Sequence, residues 1–160
     1  MIYFFQLEPL VDDLVHDRVS SKTVFIYFCI SFVIFGKFSF LLQLLSDYSL
    51  DQIFAHFVSG LIITLFGLTL CFRVNQKGDG RSFLARFFCL SVPILVRLFL
   101  LSLGILFIEG IFLIFFDRYT SIYIIPEWIE TFNFLLGVVL DLWYFLWISA
   151  KLSFIAKAKS

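Results

Sequence analysis

The sequence predicts an all-α membrane protein: a bundle of four transmembrane helices preceded by a short amphipathic N-terminal helix. Three observations carry that reading. Of the 160 residues, 61% are hydrophobic and 21% aromatic, with 24 Phe, whereas a soluble domain is about half apolar. Only 15% are charged, against about one quarter in soluble chains. The apolar residues gather in runs long enough to cross hydrocarbon, which takes about 20 residues as a helix. This composition points away from a soluble enzyme and from a disordered tail. A formal net charge of zero gives no basic field to attract nucleic acid.

The first element lies in residues 1–22, read as a cytoplasmic segment. Leu7, Leu10, Val11, Leu14 and Val15 recur at helical spacing, and Pro9 suits a first helical turn. Glu8, Asp12 and Asp13 break the apolar opening, so it does not read as a signal peptide. The face of Glu8, Asp12, Asp13 and Asp17 is poorly matched to an anionic leaflet, which attracts basic segments. It reads either as a docking face, for this chain's own bundle or for a cytoplasmic protein partner, or as a solvated helix resting on the bilayer.

The membrane domain follows over 23–152, with spans at about 23–45, 52–72, 87–115 and 131–152. The third apolar stretch, Phe83–Phe116, is ~50 Å long as a helix. It must tilt or project beyond the hydrocarbon. Pro93 removes one of its backbone bonds, a cause of kinking. Residues 153–160 form a basic tail.

Lysine and arginine set the orientation. With the N-terminus inside, the inner segments hold Arg18, Lys22, Arg73, Lys77, Arg81, Lys151, Lys157 and Lys159, while the outer loops hold only Arg118. Both termini are therefore expected in the cytoplasm, with the chain in the cell (inner) membrane. Arg73, Lys77, Arg81 and Arg86 form an expected basic patch at the inner face. Gly78 and Gly80 permit a tight turn between them.

Polar groups in a span turn toward other helices or a cavity, because lipid offers no hydrogen bonds. His56, Gly60, Thr64, Gly67 and Cys71 share one stripe of span two. Asn133, Gly137 and Asp141 share one of span four. Small residues let backbones approach and polar ones bond across the contact, so these stripes read as packing faces. Four ionisable residues lie deep: Lys37, Arg97, Glu109 and Asp141. Arg97 and Asp141 both fall ~15 Å from the inner face, and Lys37 and Glu109 ~11 Å from the outer. The matched depths predict the pairs Arg97–Asp141 and Lys37–Glu109. Pairing offsets a cost of about 2.5–3.5 kcal/mol for a charge at the bilayer centre.

No residue pattern predicts a catalytic site, a metal site or a bound cofactor. There is no CxxC, the three cysteines lie in apolar runs, and two histidines do not make a ligand set. In size and span number the chain resembles four-span drug exporters and fluoride channels. The exporters' functional carboxylate lies in span one, where this chain has Lys37. In composition it resembles the small four-span immunity and antiphage-defence membrane proteins of bacteria. The leading expectation is a non-catalytic membrane anchor or sensor subunit. It would assemble into a homo-oligomer in the lipid bilayer, with a cytoplasmic effector as a further partner. The alternatives are a small ion or proton channel or transporter, with Glu109, His56 and Asp141 as candidates, and an immunity protein against a pore-forming toxin.

Overall fold

A computed structural model describes residues 2–33, 50–120 and 127–158. Among these residues the chain is all helical, with five helices: α1 (Leu7–Val15), α2 (Ser21–Val33), α3 (Leu50–Gln76), α4 (Phe83–Thr120) and α5 (Glu127–Lys157). Three of them, α3, α4 and α5, contain segments long and apolar enough to cross a membrane: Phe54–Gln76, Phe83–Phe112 and Thr131–Lys157. The described part of the expected first span, α2, has 13 residues, or ~20 Å. The rest of that span, with Lys37, lies outside the described residues.

Helix ends differ from the expectations for local reasons. α4 runs on to Thr120, with Pro93 inside it, and its 38 residues make a rod of ~57 Å. α5 runs to Lys157, so most of the expected tail is helix. There Ile155 and Ala156 are buried, and burial carries the helix past the last apolar run.

α3 and α5 are parallel neighbours. His56 stacks edge-on against Phe134, Gly67 lies against the Phe145 ring, and Gly78 lies against Ala156. Each contact joins residues 78 positions apart, so the two helices keep one register along their length. α4 runs the other way and touches α2 on one side and α5 on another. α1 packs on α4 and α5.

The core is concentrated at one end, where α3 and α5 finish and α4 begins. Cys71, Phe87, Leu90, Ile94, Leu98, Tyr144, Ile148, Leu152 and Ile155 are buried there, together with Leu7, Leu10, Val11 and Leu14 of α1. We call this the closed end. Towards the other end the helices carry large exposed apolar side chains: Phe57, Ile62 and Phe66 on α3, Phe107, Ile108 and Ile114 on α4, and Leu135 and Val139 on α5. Gly60, Gly104, Gly110 and Gly137 meet no atom within 4 Å of a built Cβ. This is the open end.

Candidate functional site: polar ties inside an apolar bundle

The closed end is knotted by a buried ion pair. Arg86, 2% exposed, makes a two-pronged contact with the Asp79 carboxylate: Nη1 to Oδ1 and Nη2 to Oδ2, each 2.5 Å. Its Nη1 also donates to Asn75 Oδ1 at 3.1 Å. Asn75 Nδ2 in turn donates to the Arg81 carbonyl. Local sequence makes the knot possible. Gly80 sits at φ +64, a conformation glycine adopts without strain, and a side chain at Gly78 would run into Ala156. The expected basic patch is corrected here. Arg73, Lys77 and Arg81 are exposed, but Arg86 is buried and neutralised. The positive-inside count cannot distinguish a surface cation from one folded onto a carboxylate seven residues before it. A cavity of about 80 Å³ lies beside the knot, lined by Leu14, Asp17, Val24, Ser82 and Arg86 among others.

The second set of ties holds the N-terminal segment as a strap. The chain bends at Phe4–Phe5 and doubles back, so that the Tyr3 hydroxyl donates to Asp13 Oδ2 at 2.9 Å. That bond to a carboxylate pushes the phenol above its ordinary pKa. The Tyr3 amide donates to the Tyr27 hydroxyl, which donates to the Tyr3 carbonyl. Arg97 Nη2 donates to the Phe5 carbonyl at 2.7 Å, and Lys151 Nζ pairs with Glu8 at 2.6 Å. Three carboxylates of the expected docking face have partners in their own chain, while Glu8, Asp12 and Asp17 stay exposed. Glu8 meets Lys151, Asp13 meets Tyr3, and Asp12 meets Arg18 at 2.7 Å.

The third set links α4 to α5. Tyr144 donates to Ser91 Oγ at 2.8 Å, and Ser91 donates to the Phe87 carbonyl. Nearer the open end Asn133 Nδ2 donates to Glu109 Oε1 at 2.9 Å. Glu109 Oε2 is buried without a hydrogen-bond partner among the described residues.

The expected Arg97–Asp141 pair is not formed. Arg97 lies over the Trp147 ring, 5.5 Å from its centroid, and holds the Phe5 carbonyl, while Asp141 is exposed. Depth was matched but azimuth was not. Trp147 and Asp141 are six residues apart on α5, about a third of a turn around the helix. An arginine stacked on one faces away from the other. Glu109 takes Asn133 as its described partner, and Lys37 lies outside the described residues. The packing stripes divide in the same way. Gly67 and Cys71 are close-packed on Phe145, the Cys71 thiol donating to its carbonyl at 3.6 Å. Gly60 and Gly137 face open space, and Thr64 is exposed.

Sequence reasoning missed the Asn75–Asp79–Arg86 knot and the Tyr3–Tyr27 clasp. A signal for the first was available: an Asp in a glycine turn seven residues before an Arg at the edge of an apolar helix. Among the described residues no group of three or more His, Cys, Asp or Glu is placed to hold a metal ion. No family model, no curated protein and no solved structure matches the chain.

Proposed function

We propose that the chain is a non-catalytic, multi-pass membrane subunit, an anchor or sensor, that works by association within the bilayer. One observation supports this above others: among the described residues the buried core gathers at the closed end, and toward the other end large apolar side chains are exposed. Small and apolar surface there, with the carboxylate of Asp141, is presented on the helix faces. In lipid, helix association rests on close backbone approach and polar bonds rather than on the hydrophobic effect, and those are the features on offer. The closed end, with Arg73, Lys77 and Arg81, is assigned to the cytoplasm by the positive-inside rule. Purification in native lipid followed by mass measurement tests the reading. A homo-oligomer or a stable companion is expected, and a lone monomer overturns it.

A second reading, an ion or proton channel, is favoured by one observation, the buried and half-satisfied Glu109 carboxylate. Flux in liposomes that disappears in Glu109→Gln would replace the association reading with this one.

A further inference from the structure

The N-terminal strap is tied to the bundle by hydrogen bonds at its tip. Its tip is fixed to the middle of a spanning helix. Arg97, the residue that holds the Phe5 carbonyl, falls in the middle of the apolar segment Phe83–Phe112, ~20 Å along α4 from its first residue. Backbone groups of the tip bond inward, onto Tyr27 and Arg97, while Glu8 reaches Lys151 from an exposed position and Asp12 is exposed. The strap's aliphatic side chains Leu7, Leu10, Val11 and Leu14 are buried against the bundle. At the tip Phe4 is 42% and Phe5 59% exposed, flanked by exposed Ile2 and Gln6. On α4 the neighbours of Arg97 in sequence, Phe99, Leu100 and Leu101, are exposed as well.

Non-helical backbone at membrane depth needs protein partners for its polar groups, and Tyr27 and Arg97 supply them to the Tyr3 amide and to the Tyr3 and Phe5 carbonyls. We infer that residues 2–15 form a re-entrant strap whose Phe4–Phe5 tip enters the hydrocarbon and contacts lipid acyl chains. This rests on the membrane-spanning reading of α4, and it deepens the proposed anchor or sensor role. Acyl-chain packing at the tip then bears directly on Arg97, in the middle of the central helix.

Two probes in the full chain test it, with the wild-type cysteines as background. Phe5→Cys and Asp12→Cys are reconstituted in phosphatidylcholine–phosphatidylglycerol vesicles permeabilised so that both faces meet the reagent. They are then exposed to a membrane-impermeant maleimide. Asp12→Cys labels, and Phe5→Cys is expected to lose labelling although its side chain is exposed in the isolated chain. A nitroxide at Phe4→Cys then identifies what covers the tip. Strong relaxation by oxygen with none by a water-soluble nickel chelate is the expected result. Relaxation by the nickel chelate places the strap in water and overturns the inference. Protection from both agents means that protein covers the tip and also overturns it. The mass measurement on the wild type reads the association proposal separately, so either one can fail alone.

Discussion

Arg86 shows how much a single residue can change the meaning of a segment. Counted along the sequence it is one more inner-face cation. Folded, it is a buried charge whose whole compensation comes from Asp79 and Asn75. Removing one partner of such a pair leaves the other uncompensated. Asp79→Ala and Arg86→Ala are each expected to cost about 3–5 kcal/mol. The double variant should cost less than the sum, as read by thermal unfolding in detergent. Glycines supply a sharper contrast. A Cβ at Gly78 would fall 2.2 Å from the Ala156 Cβ and 2.9 Å from its backbone, whereas Gly60 meets nothing within 4 Å. Gly78→Ala should therefore destabilise by about 1–3 kcal/mol. Gly60→Ala should stay within about 0.5 kcal/mol of wild type. In the sequence Gly60 lies in a packing stripe and Gly78 in a turn, which would assign the close contact to Gly60. What separates them is the α3–α5 contact, which no local pattern encodes.

At the scale of elements, the three long apolar helices were legible because hydrophobic length is a nearly sufficient signal for a spanning segment. Their ends were less so, since α5 is prolonged by the burial of Ile155 and Ala156 and not by apolar run length. The charge pairs were misjudged for a related reason. Counting residues gives height along a helix but not rotation about it, so Arg97 and Asp141 were placed level without being placed face to face. The strap was half legible. Its apolar spacing names Leu7, Leu10, Val11 and Leu14 as the inward side, but nothing in the sequence says that Tyr27 clasps Tyr3 or that Arg97 holds Phe5. Tyr27→Phe removes both bonds of the clasp. It is expected to cost about 1–3 kcal/mol at ~1 kcal/mol per bond and to speed proteolysis at Arg18 and Lys22. The Tyr3–Asp13 bond adds a pH signature. The phenol's pKa is raised in the fold, so its contribution is whole below about 10, the free tyrosine value. That contribution fades as pH climbs through the raised value. Tyr3→Phe should abolish this alkaline step in strap protection.

Across the whole molecule, the described residues are packed at the closed end and more exposed toward the other, and the two ends should answer differently to substitution. Phe107, 71% exposed on the open half of α4, faces lipid in the membrane-spanning reading. Phe107→Arg should carry an insertion penalty of about 2.5–3.5 kcal/mol, seen as loss from the membrane fraction. Phe72 and Phe154, exposed near the closed end, should bear the same change at lower cost because an arginine there reaches the interface. The parallel alignment of α3 and α5 has its own consequence. Two neighbouring helices that point the same way bring their negative ends together, and each helix carries roughly half an elementary charge there. Arg73 occupies the last turn of α3 and Lys157 that of α5. These two cations therefore offset the mutual repulsion of two peptide macrodipoles. Replacing both with glutamine is expected to destabilise the α3–α5 pairing and, in the proposed cytoplasmic placement of the closed end, to weaken the positive-inside signal.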